Sequence, residues 1–259
     1  MIKTKKTKIS KKTKISKKTK ISKKTKISKK TKLSKNNKKF NTYIIHYTPL
    51  VERKKHIIDE MKKHNIDNYI FIEDYDREVL TNKELQLFDV NKLKMSEISL
   101  SMKHIEAWKR IINSNYEYGL IFEDDIVLQN GFSNTLKNYI EQLPEDFDLC
   151  FIGECLNLHI PDIILKDKKG VNVFKKETST IWWCGTGSGR CTDSYLISKK
   201  CCIKIFELLL YILINNKIDY PIDLYMNEMS RILELNVYWA EPTIVKQGTE
   251  TGLFKSAIK

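Results

Sequence analysis

The stretch YGLIFEDDIVLQNGF, residues 118–132, decides how this chain is read. Leu120-Ile121-Phe122 is an apolar run with the character of a buried strand, and it ends in three adjacent acids, Glu123, Asp124 and Asp125. Carboxylates at the end of a buried strand are costly unless something positive sits beside them. The side chains of a strand alternate, so Glu123 and Asp125 are expected on one side and Asp124 on the other, unless the chain turns there.

Upstream of this stretch, SEISLSMKHIEAWKRIINSN (96–115) is the clearest helix. Ile98, Met102, Ile105, Trp108 and Ile112 recur at helical spacing, and Ser96 or Ser99 is expected to cap it. Further back, NTYIIHY (41–47) and NYIFIED (68–74) read as strands flanking a helix over 49–66. Residues 75–95 are charged and irregular.

Downstream, GFSNTLKNYIEQL (131–143) reads as a helix and DLCFIG (148–153) as a strand, followed by a loop-rich region that contains VNVFKK as a candidate strand. CTDSYLIS (191–198) is the next strand, 199–216 and 221–236 are helices, and VYWAEP is the last strand. Elements of the two kinds take turns across short connections. This pattern predicts one α/β domain over 40–259, a mostly parallel sheet with helices on both faces. Ligands of such sheets sit outside the carboxyl ends of the strands, where residues 123–125 fall.

The net charge of +14 belongs to one end of the chain. Residues 1–39 hold 19 lysines and no acid, while the remainder has 27 basic and 32 acidic residues. KKTKIS occurs four times from Lys5 to Ser28, and KKTKLS follows. The single apolar residue of each repeat, six positions from the next, forms no helical stripe. The segment is therefore expected to be disordered, either a solubilising leader or a tether to an anionic surface or partner. It lacks the aromatic residues that single-stranded nucleic acid would stack on.

IFELLLYILI (205–214) is too short to span a bilayer, and no signal peptide is visible. The expected location is the cytoplasm of the producing or host cell. The six cysteines are accordingly expected as free thiols, and none has zinc-binding spacing.

A divalent ion, Mn²⁺ or alternatively Mg²⁺, could gather the acids at 123–125 and hold a diphosphate on its open positions. A solvated loop start or a helix cap would explain the same acids. Neither GxxxxGK[ST] nor a GxGxxG opening a helix after the first strand is present. GTGSG (185–189) follows Trp182 and Trp183, which form either a sugar-stacking wall or part of the core.

TYIIHYTPLVERKK, SLSMKHIEAWKRIINSNYEYGLIFEDDIVLQNGF, CTDSYLISKKCCIKI, YPIDLYM and EPTIVKQ, in that order and spacing, resemble glycosyltransferase family 25. This family includes bacterial lipooligosaccharide galactosyltransferases and collagen hydroxylysine galactosyltransferases. The resemblance implies a GT-A fold and an inverting transfer of a hexose from a UDP-sugar with Mn²⁺, to a protein, such as hydroxylysine in a collagen-like chain, or to a glycan.

By the same resemblance Glu123 and Asp125 are metal ligands, and Tyr47, Thr48, Arg53, His104, Asp124 and Gln247 contact the donor. Asp223 in PID, near the start of a helix that Pro221 opens, is the candidate base, with Asp193 as rival. The chain departs from the family pattern at His46-Tyr47, where many relatives have Asn-Leu, and at Lys103-His104, where the usual pair is Ser-His. Two other readings compete: a non-catalytic scaffold on the same fold whose tail does the binding, and a phosphohydrolase or nuclease using the same acids.

Overall fold

The computed structural model describes residues 40–155, 157–166, 168–176, 189–214 and 216–257. The Lys-rich segment, Trp182, Trp183, Cys184 and residues 185–188 of the GTGSG stretch lie outside them.

The first half of the chain builds the core of a sheet. Strand β1 (Asn41–Ile45) leads into helix α1 (Val51–Lys63), strand β2 (Tyr69–Ile72), a one-turn helix α2 (Asn82–Leu85), the long helix α3 (Met95–Asn113) and strand β3 (Tyr118–Glu123). A short strand β4 (Ile126–Leu128), helix α4 (Phe132–Gln142), strand β5 (Leu149–Phe151) and a short helix α5 (Asp162–Leu165) follow. The chain closes with β6 (Val173–Lys176), β7 (Ser194–Ser198), α6 (Lys199–Leu213), α7 (Ile222–Ile232), β8 (Val237–Ala240) and β9 (Val245–Gln247).

Seven strands form one sheet in the order β2-β1-β3-β7-β5-β8-β6. β1 pairs in parallel with both β2 and β3, and β5 with β8, while β7 and β6 run against their neighbours. Five of the seven strands therefore point one way. The result is a mixed, mostly parallel sheet, as the sequence pattern predicts.

Alternation along each strand divides the core in two. Tyr43, Ile45 and Ile121 pack with α3, α6 and α7 on one face. Ile44, Leu120 and Phe122 pack with α1 and α4 on the other. Burial of apolar area on both faces holds the layers together.

The structure revises the sequence reading in several places. The pair β4–β9, a separate two-stranded antiparallel sheet, was not expected; both strands have three residues, too few to show a period. In α3, Ile98, Met102 and Trp108 are buried as expected, but Ala107 and Ile111 are buried too, while Ile105 and Ile112 are only partly covered. Neither serine caps that helix. Lys94 is its N-cap, with its N–H donated to the Glu97 carboxylate at 2.8 Å. Ser99 Oγ instead donates to the Tyr75 carbonyl at 2.7 Å.

The expectation of six free thiols is also corrected, since Cys155 and Cys191 form a disulfide. Phe151 of β5 lies opposite Tyr195 of β7, so four residues beyond one and four before the other meet across the same gap, with Cα atoms 5.7 Å apart. Cys150, Cys201 and Cys202 are free and buried. Among the described residues no helix is long and apolar enough to cross a membrane.

Candidate active site

β1 and β3 are parallel neighbours with Ile45 opposite Glu123, so their carboxyl ends open onto the same edge of the sheet. His46-Tyr47 leaves one strand where Glu123-Asp124-Asp125 leaves the other. The chain turns at Asp124-Asp125 before β4, so the strict alternation of a strand no longer applies there. Arg53 sits in the first turn of α1, the helix that follows β1, and is buried against this edge.

These placements supply the positive partner that the acids require. Arg53 Nη1 donates to Asp124 Oδ1 at 2.7 Å and lies 3.7 Å from Asp125 Oδ2. The other Asp124 oxygen accepts from His46 Nδ1 at 2.9 Å and from the Tyr47 N–H at 3.2 Å. Burial alone would raise the Asp124 pKa. The hydrogen bonds from His46 and Arg53, with the Arg53 charge, outweigh it and hold the carboxyl below its usual range. Asp124 is thus a fixed anion that ties β1, β3 and α1 together.

Asp125 has a different environment. Its Oδ2 accepts from Thr249 Oγ1 at 2.8 Å, and its buried Oδ1 has no hydrogen bond. Burial, reinforced by the charge on Glu123, pushes its pKa up to about 6, against the pull of Arg53. Glu123 Oε1 accepts from Thr192 Oγ1 at 2.8 Å and lies 3.5 Å from His104 Nε2. Asp193 is just behind, its carbonyl accepting the Glu123 N–H at 2.9 Å. The Asp193 side chain is almost fully buried, with Oδ2 bonded to Ser194 Oγ and Oδ1 left bare. Burial first, then the charges on Glu123 and Asp125, push its pKa well up, against the Ser194 hydrogen bond.

One cavity of about 100 Å³ collects Tyr47, Arg53, Glu123, Asp124, Asp125 and Gln247 from the sequence-derived set. Arg77, Lys103 and Thr249 line it as well. Gln247 reaches it through β9, whose pairing with β4 sets Gln247 opposite Ile126, the residue after the acids. Lys103 is a buried ammonium that donates to the Asp74 carbonyl and the Asp76 carboxylate, both at 2.7 Å; burial lowers its pKa and Asp76 opposes that.

The other sequence-derived residues stand outside the walls of this cavity. Thr48 is bonded through its hydroxyl to Asp76. His104 is fully buried behind Glu123, its Nδ1 2.9 Å from the Tyr195 hydroxyl. Asp193 lies beneath the surface. Asp223 is half-buried at the start of α7, where its Oδ1 accepts the Leu224 N–H at 2.8 Å. Pro221 is the cap residue of that helix and not its first turn, so Asp223 is the second helical residue.

No signal in the sequence singled out Arg77 or Thr249. They reach the cavity through the loop after β2 and the turn after β9, and only the folded chain brings those segments to the ends of β1 and β3.

A divalent cation fits part of this donor set. Among the described residues no group of three or more His, Cys, Asp and Glu is arranged as a metal cage. Glu123 and Asp125 nonetheless offer two carboxylates, one with a bare buried oxygen, and their mutual repulsion is what a cation would relieve. Mg²⁺-like ions are usually held in this way, by one or two carboxylates plus substrate phosphates. Asp124, with both oxygens engaged, does not fit as a ligand.

Comparison with known proteins places the chain among glycosyltransferases. A Haemophilus influenzae protein described as a candidate glycosyltransferase is 31% identical over 115 residues, covering 42% of this chain and 40% of that protein. The match thus spans about two fifths of the length of that relative. Among solved structures, a Drosophila galactosyltransferase complexed with manganese, UDP-galactose and xylobiose is 11% identical, with a TM-score of 0.41 over 80% of this chain and 69% of that one. The galactosyltransferase LgtC, bound to donor and acceptor sugar analogues, is 8% identical, with a TM-score of 0.42 over 80% and 86%. At these scores the likeness is too loose to transfer a residue or a substrate. The family model for glycosyltransferase family 25 (LPS biosynthesis protein) matches residues 39–226, well over half of the sequence and all of the segments that supply the acids and Arg53. The chain belongs to glycosyltransferase family 25.

Proposed function

We propose that this protein is a metal-dependent, inverting glycosyltransferase that moves a hexose from a UDP-sugar to a protein or glycan acceptor. One observation carries the reading most: Asp125, buried and with a bare oxygen, shares a cavity with Glu123 on one side and Arg53 on the other. A metal diphosphate needs charge of both signs in this way, acids for the metal and cations for the phosphate oxygens. Glu123 and Asp125 would hold Mn²⁺, with Mg²⁺ as alternative, and the bound ion would stabilise the negative charge of the departing diphosphate.

The remaining residues orient or exclude. Asp124 keeps Arg53 at the edge of the sheet, and Arg53 in turn keeps Asp125 from turning away. His104 and Thr192 support Glu123 from behind. Tyr47 and Gln247 form walls suited to the nucleoside or the sugar. Inversion needs a base on the face opposite the leaving group. Asp223, partly open to solvent at a helix start, suits an acceptor hydroxyl better than Asp193, whose burial favours its neutral form. The Lys-rich segment 1–39 would tether the enzyme to an anionic surface or partner, and turnover would not need it. Removing residues 1–38 should therefore leave UDP release unchanged while abolishing salt-sensitive binding; lost turnover in a folded, shortened protein would count against this division.

The main test is UDP release from UDP-galactose, UDP-glucose and an N-acetylhexosamine nucleotide, with Mn²⁺ or chelator and a panel of acceptors. The expected result is Mn²⁺-dependent release that is weaker at pH 5 than at pH 7, because a metal ligand must be ionised and Asp125 takes up its proton near pH 6. Release indifferent to chelator would overturn the metal assignment. Consumption of no donor, with tail-dependent binding retained, would favour a scaffold.

A further inference from the structure

The chain's own backbone forms one wall of the cavity. After β9, the Gly248 N–H donates to the Asp125 carbonyl at 2.6 Å, and Thr249 bonds the Asp125 side chain. The N–H groups of Leu253 and Phe254 turn back onto the Gly248 carbonyl at 2.8 and 3.2 Å. From this turn the segment runs across the arginines. The Phe254 ring lies 5.3 Å from the Arg53 guanidinium and edge-on to His56 at 5.1 Å. The Lys255 carbonyl accepts from Arg53 Nη2 at 2.6 Å, and the Ala257 carbonyl accepts from Arg77 Nη1 at 3.4 Å. Ser256 and Ala257 complete the wall.

Two features make these contacts a placeholder. A guanidinium fork matches a phosphate, and its hydrogen bonds to an anion are roughly twice as strong as those between neutral groups; here Arg53 Nη1 is held by Asp124 and Arg77 Nε by Glu78 at 2.9 Å, while Arg53 Nη2 and Arg77 Nη1 meet neutral carbonyls. In addition, the space that remains, about 100 Å³, is well below the roughly 300–1,000 Å³ of ordinary ligand pockets. Ser256 and Ala257 line this space and narrow it.

We propose that Arg77 joins Arg53 in binding the diphosphate of the donor, and that residues 254–257 occupy this anion site until the nucleotide displaces them. The proposal rests on the UDP-sugar reading for the identity of the ligand and on the strap's contacts for everything else. Arg53 comes from α1 and Arg77 from the loop after β2, so a diphosphate held between them would join the two segments as the strap does now. The strap is thereby a competitor built into the fold, and the enzyme would be open only in the presence of donor.

The test uses the full chain, UDP as probe and two readouts: calorimetric affinity without metal, and tryptic release of residues 256–259. Cleavage after Lys255 requires its carbonyl to leave Arg53. UDP should speed this cut several-fold. Arg77→Ala should weaken UDP about tenfold, the loss of one charge-assisted contact. Phe254→Ala should act in the opposite direction, tightening UDP several-fold and speeding the cut before UDP is added. Arg77 is a third exposed, so its removal leaves the core intact, which a thermal melt of each variant checks.

UDP binding that leaves the Lys255 cut unchanged, or a Phe254→Ala variant that binds UDP more weakly, would overturn the proposal. Inorganic pyrophosphate separates the two levels. If it binds with the same opposite shifts while UDP does not, the arginine site stands and the nucleotide reading fails; if neither binds, both fail.

Discussion

Asp125→Asn should melt higher than the parent protein at pH 7 while losing sugar transfer. In the folded chain the Asp125 carboxyl is almost fully buried, bare on one oxygen and close to the Glu123 charge, and its pKa is raised to about 6. A raised carboxyl pKa means that ionisation opposes folding. The protein is favoured while the group is protonated in both states, and that advantage is lost as pH rises from about 4 through about 6. An uncharged amide removes the cost, and its oxygen can still accept from Thr249. A gain of about 1–3 kcal/mol at pH 7, or roughly 3–8 °C in Tm, follows from a shift of this size. The gain should vanish below pH 4. Transfer should fall on the order of a thousandfold, the loss expected when a metal site loses a charged ligand. A variant that is less stable at pH 7, or one that keeps metal-dependent turnover, would contradict this account of Asp125.

Asp124→Ala should do the reverse to stability, although the two acids are neighbours in sequence. Asp124 accepts from Arg53, from His46 and from the Tyr47 N–H, and those interactions hold its pKa down. Its removal would leave a guanidinium and a fully buried imidazole facing an empty place. Breaking a buried pair from one side costs about 3–5 kcal/mol, a large share of the stability of an ordinary domain. Urea titration would measure the loss. It should narrow as pH falls through the native pKa of Asp124, because a depressed pKa stabilises only above the unfolded value. A change below about 1 kcal/mol would show that Asp124 is not the anchor its contacts describe.

The contrast between these two acids marks the limit of the sequence. EDD at the end of an apolar run pointed to this edge of the sheet, and Arg53 and Gln247 were matched to it from separate segments. Nothing in three consecutive acids tells which one is tied to arginine and which is left bare. That depends on the register of β1 against β3, which sets His46 and Tyr47 beside Asp124. The elements read best where the periodic pattern was long, as in α3 and β3. They read worst at β4 and β9, whose three-residue strands have identity only as a pair. The disulfide was missed for a related reason: Cys155 and Cys191 are 36 residues apart and become neighbours only because β7 runs back between β3 and β5.

The amino-acid order alone determined the α/β alternation, the split between a basic end and an acidic body, and the strand that ends in the three acids. Those features depend on local periodicity and on the cost of burying charge, which residues near in sequence reveal. The tertiary structure decided the partners of each acid, the presence of Arg77 and Thr249 in the cavity, and the segment that forms one of its walls. Each of these is a contact between segments far apart in the chain, and only packing of the sheet and its helices sets such distances.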